Sequence, residues 1–60
     1  MRLFEKNMMI ENYYKVEHVT KCYVWVSYPS NNTRYTIKLK KHLTNYGEYF
    51  QLFNKTVYAI

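Results

Sequence analysis

The stretch Lys21–Lys41, KCYVWVSYPSNNTRYTIKLKK, reads as two strands joined by a turn. From Cys22 to Tyr28 the even positions are Cys22, Val24, Val26 and Tyr28, and the odd ones are Tyr23, Trp25 and Ser27. β-branched and aromatic residues fill the run, as a pleated surface prefers. Alternation at period two is the mark of a strand with two unlike faces. Pro29-Ser30-Asn31-Asn32 then interrupts it. Proline fixes φ and donates nothing to a ladder, and asparagine tolerates left-handed geometry, so a turn belongs here. The return strand is Thr33 to Lys40. A turn centred on Ser30-Asn31 sets Val26 opposite Tyr35, and one centred on Asn31-Asn32 slides the pairing by two residues. Both leave every side chain on the same face, because side chains repeat every two residues. One face is then apolar, with Cys22, Val24, Val26, Tyr35, Ile37 and Leu39. The other carries Tyr23, Trp25, Arg34, Lys38 and Lys40, a mixture of aromatic and cationic groups.

Upstream, the even positions continue as Tyr14, Val16, His18 and Thr20 without a break in parity. No Gly, Asn or Pro lies between Tyr13 and Cys22 to make a tight turn. The pattern therefore predicts one long bent strand over 13–28, curving near Thr20-Lys21, with a bulge as the alternative. Residues 1–12 fit no single period and read as irregular. Downstream, Leu39, Leu43, Tyr46, Phe50, Phe53, Val57 and Ile60 are spaced by alternating fours and threes, an apolar stripe at helical period. Asn45 can cap a helix, with Glu48 at the capping-box position. The reading is a helix from about Tyr46 to Thr56, lying over the apolar face of the hairpin. Its rival is a second hairpin around Asn54-Lys55, which gives little contrast between its two faces. The expected architecture is thus α+β: a small antiparallel sheet on a long bent hairpin (about 13–28 and 33–41) with a packed C-terminal helix. The alternative is an all-β meander with a second hairpin at 48–60.

Sixty residues make one small domain. Such a chain buries only about 60% of its unfolded surface and is marginally stable. Small scaffolds usually add disulfides, a metal or a second subunit. One cysteine allows no internal disulfide, and two histidines without aspartate give no basis for a metal site or cofactor. A homodimer is the expected remedy, with Val57 and Ile60 among the residues in need of cover. Nine Lys and Arg against four Glu give a net charge of +5, which favours acidic partners. No run approaches the ~20 apolar residues of a membrane span. The start, Met1-Arg2-Leu3-Phe4-Glu5-Lys6, lacks the apolar segment of a signal peptide. With a lone cysteine, this points to a reducing cytoplasm.

Catalytic chemistry finds little support. Cys22 and His18 lie four residues apart, about 13 Å along an extended strand, too far for a nucleophile and its base. The four glutamates are scattered, and one glycine makes no phosphate loop. Cys22 reads as a small buried hydrophobe. An enzyme is not expected. The residues with A/T-rich codons (Phe, Tyr, Met, Ile, Asn and Lys) number 30, against five of Gly, Ala, Arg and Pro. That bias suits a bacteriophage or another A/T-rich genome. Together these features suggest a virus-encoded inhibitor that occupies the surface of a host or defence protein in the host cytoplasm. The alternative is single-stranded nucleic-acid binding, with Tyr23 and Trp25 stacking bases and Arg34, Lys38 and Lys40 meeting phosphates. Tyr, Trp and Arg also dominate protein-interface hot spots, so one face serves either reading.

Overall fold

A computed structural model describes residues 2–60, which form seven strands in two antiparallel sheets. The strands are β1 Met9–Ile10, β2 Tyr14–Val19, β3 Tyr23–Ser30, β4 Thr33–Lys40, β5 His42–Thr44, β6 Gly47–Leu52 and β7 Lys55–Tyr58. The first sheet has the order β1-β2-β3-β4 and the second β5-β6-β7, so every neighbour is consecutive in the chain. The class is all-β, and the expected C-terminal helix is not formed. No helix among the described residues is long and apolar enough to cross a membrane.

The β3–β4 hairpin turns on Asn31-Asn32, both at positive φ (49° and 66°) between the paired Ser30 and Thr33. Two left-handed residues give the tight turn whose twist matches the flanking strands. The register is the second of the two considered, with Val24 opposite Leu39 and Val26 opposite Ile37. Val24 and Val26 are fully buried, and Ile37 and Leu39 pack against the core. Tyr35 stays half exposed, and Cys22 is exposed rather than buried.

The long strand over 13–28 is instead two strands, β2 and β3, folded against each other. The turn needs no Gly, Asn or Pro because the Thr20 hydroxyl accepts from the Tyr23 amide (3.1 Å) and the Thr20 amide donates to the Tyr23 carbonyl (2.9 Å). Parity also breaks. Val16 faces Val26 while His18 faces Trp25, so Glu17 is an extra residue in β2. This bulge sends His18 to the outer face and lets Val19 pair with Val24 on the inner one.

The tail forms β6 and β7, closed by Phe53-Asn54 at positive φ (53° and 60°). The helical stripe dissolves: Phe50 and Val57 are cross-strand partners and buried, while Leu43, Tyr46, Phe53 and Ile60 are exposed. Residues spaced by seven satisfy both a helix and a hairpin turning between them. The outward aromatics Tyr49 and Tyr58 removed the contrast that would have marked strands. The meander with a second hairpin is therefore the architecture that fits, with β5 added. Asn45 lies in the β5–β6 turn, where the Thr44 hydroxyl accepts from the Tyr46 amide (3.1 Å) and donates to the Gly47 carbonyl (3.0 Å).

Between the sheets lies one core: Phe4, Ile10, Tyr14, Val16, Val24 and Val26 on one side, Phe50, Leu52, Val57 and Ala59 on the other. Phe50 is wholly buried, with the Phe4 ring 5.4 Å away and the Tyr14 ring edge-on at 5.8 Å. Burial pushes the Tyr14 phenol above its ordinary value of 10.0. Val57 is 2% exposed within a single chain, which removes one ground for expecting a dimer. Glu48 ties the N-terminal segment down. Its carboxylate accepts from the Phe4 amide (2.8 Å) and pairs with the Lys41 ammonium (2.7 Å), both side chains being largely buried. Beside it, Gly47 has φ 130°, and a Cβ there would sit 2.5 Å from the Arg2 carbonyl oxygen.

Candidate functional site

The outer face of the first sheet is built by alternation on β3 and β4 and by the bulge on β2. Register places His18, Trp25 and Lys38 in one row across three strands, with Tyr23 and Lys40 paired in the next. The His18 and Trp25 rings are 4.8 Å apart, and those of Tyr23 and Trp25 are 6.5 Å apart. The Lys38 ammonium lies over both aromatic rings, 4.2 Å from the centre of Tyr23 and 5.5 Å from that of Trp25. These are cation–π distances. Tyr23, Lys38, Lys40 and His18 are exposed and Trp25 is half-buried.

Of the five residues expected on this face, the structure gathers Tyr23, Trp25, Lys38 and Lys40 and sets Arg34 apart. Arg34 is four residues from Lys38 on β4, about 13 Å along the strand. Its guanidinium donates to the Ser27 hydroxyl (3.2 and 3.3 Å), the Ser27 carbonyl (3.1 Å) and the Tyr13 carbonyl (3.5 Å). The Ser27 hydroxyl in turn donates to the bulged Glu17. Arg34 therefore ties β4 to β3 and to the turn before β2, and Ser27 carries the link on to Glu17 of β2. His18 was missed because unbroken parity put it on the apolar face; only the bulge brings it beside Trp25.

Charge is sorted as well. Glu11 is bound by Lys55, whose ammonium its hydrogen bond holds above 10.5, Glu48 by Lys41, and Glu17 by Ser27. Among the described residues, Lys15, Lys21, Lys38 and Lys40 form no ion pair. Lys15, opposite Ser27, shares the outer face with Lys38 and Lys40, and Lys21 sits in the adjoining turn. Four lysines without an ion pair thus lie on or beside the face that carries the aromatic row. Cys22 is in that same turn, and His42 lies on β5, in the second sheet. No protein family, characterised protein or solved structure matches this chain.

Proposed function

We propose that this chain is a non-enzymatic binding protein whose outer β2–β3–β4 face takes single-stranded nucleic acid. The observation that carries this reading is the Lys38 ammonium lying over Tyr23 and Trp25 on a face whose lysines lack acidic partners. Aromatic rings offer a stacking surface to any base, and the cations beside them meet the backbone. In the free protein Lys38 shields the rings; on binding it moves to a phosphate and leaves a ring face for a base. Lys15 and Lys40 supply two further phosphate contacts.

Trp25 is the sole tryptophan, so its fluorescence reports on this face directly. Titration with unstructured oligonucleotides at low salt quenches it, and log K falls against log salt with a slope of about −2 for three lysines. Trp25→Ala weakens binding by about 1–3 kcal/mol. Flat titrations with both DNA and RNA at low salt would falsify the reading.

A second reading, the virus-encoded inhibitor acting on a host protein in the host cytoplasm, is supported by a different feature. Leu43, Tyr46, Phe53 and Ile60 are each more than 60% exposed, and exposed apolar groups of this size suit a protein partner. A bait retaining no protein from a nuclease-treated bacterial lysate would count against it.

A further inference from the structure

The outward alternation of β4 does not stop at its end. Lys38 and Lys40 face outward, Lys41 turns inward to Glu48, and His42 faces outward again on β5. The His42 ring lies 5.0 Å from that of Tyr49, nearly parallel at 22°, and the Tyr49 ring lies 5.3 Å from that of Tyr58. Because His42, Tyr49 and Tyr58 are cross-strand partners, the three rings form a row over the second sheet. Their neighbours Glu48, Phe50 and Val57 point the other way and are buried, so this row is not needed to fill the core. Lys38 and His42 are four residues apart, about 13 Å along the chain, with Lys40 between the two rows. Tyr58 also lines an open surface cavity of about 500 Å³, shared with Arg2, Tyr46 and Ala59. That volume falls in the range of about 300–1,000 Å³ found for small-ligand sites. Glu48, next to Tyr49 on β6, is paired with Lys41 on the inner side.

We infer that His42, Tyr49 and Tyr58 form a second stacking subsite for the same single strand. Its end lies in the cavity beside Arg2 and Tyr46. The inference rests on the proposed single-strand binding and extends it from one sheet to two. The unpaired lysines and the aromatic rows favour an anionic chain of stacking bases over an apolar protein surface. A strand that meets both rows bends round the corner at Lys40, which lies between them along the chain.

The test uses oligothymidylates of four, eight and twelve nucleotides, bound to the whole chain at low salt and followed by anisotropy and Trp25 fluorescence. The comparison protein is Tyr49→Thr with Tyr58→Thr, which removes both rings but keeps strand propensity. Circular dichroism and a thermal melt confirm that it is folded. Affinity of the natural chain rises at least about tenfold from four to eight nucleotides, as a second contact on one tether requires. The double variant loses roughly five- to a hundredfold for the longer strands and little for the shortest. Binding that quenches Trp25 but does not strengthen with length, or a folded double variant that binds like the natural chain, overturns this subsite alone. Absence of binding at every length overturns the subsite and the single-strand reading together. If the variant does not fold, the length series of the natural chain decides.

Discussion

Phe53 holds a backbone conformation that an aromatic residue rarely takes, φ 53° in a two-residue turn. Left-handed geometry costs a residue with a Cβ about 1–2 kcal/mol. The compensation is visible: the Phe53 ring meets Tyr28 edge-on at 5.4 Å and 89°. Such pairs are worth about 0.5–1.5 kcal/mol. Phe53→Ala keeps the strain and loses the ring, so it lowers unfolding stability by about 1 kcal/mol. Phe53→Gly loses both and leaves stability close to that of the natural chain. Denaturant midpoints of the two variants and the natural chain check this; an alanine variant as stable as the natural chain would show that the ring contributes nothing, and one as stable as the glycine variant would show that the turn holds no strain. Phe53 also explains why the sequence places this turn one residue late, around Asn54-Lys55, and only as the rival of a helix. Asn31-Asn32 announces a left-handed pair by composition, whereas Phe53-Asn54 does so with only one of its two residues.

Among the elements, β3 and β4 were legible because alternation, turn chemistry and burial agree there. Tyr23, Trp25, Lys38 and Lys40 followed from that parity alone. Three elements were not the first reading, each for a local reason, although a bulge and a second hairpin stood as alternatives. The β2–β3 turn relies on one hydroxyl, that of Thr20. The bulge at Glu17 shifts parity without any glycine to mark it. The β6–β7 hairpin places Tyr49 and Tyr58 outward, so both of its faces look apolar, and the second aromatic row went unseen with it. The ion pair between Lys41 and Glu48 could not be found by spacing, since Glu48 read as the capping-box residue of a helix that does not form. Its burial makes a sharp prediction. Lys41→Met leaves the Glu48 carboxylate buried with only the Phe4 amide for company, at a cost of about 3–5 kcal/mol. Adding Glu48→Gln restores a neutral acceptor for that amide and recovers much of the loss. Urea unfolding of the single and double variants measures this coupling; equal losses in both would mean that the carboxylate is not stranded by removing its partner.

For the whole molecule, Val57 and Ile60 separate two accounts of what the C-terminal strand does. Val57 lies in the core of one chain, while Ile60 is 63% exposed. A scaffold of this size has about 3–5 kcal/mol to lose. Val57→Asp places an unpaired charge in that core and abolishes the cooperative thermal transition. Ile60→Asp shifts the transition by no more than a few degrees. Light scattering of the Ile60→Asp protein over a dilution series also shows whether the free terminus joins two chains. A folded Val57→Asp protein would sink the packing described here. The peptide unit at Glu48 has a wider consequence. Its N–H donates to the Arg2 carbonyl and the Ala59 N–H donates to the Glu48 carbonyl, at 2.8 and 2.9 Å. Arg2 and Ala59 are thus fastened to one residue of β6, which brings the first and last described segments side by side. A circularly permuted chain, joined by a short linker between those segments and opened at Asn31-Asn32, keeps every strand pair but loses the covalent link at one turn. Which strand comes first along the chain is then a matter of where the backbone is opened, not of which strands pair.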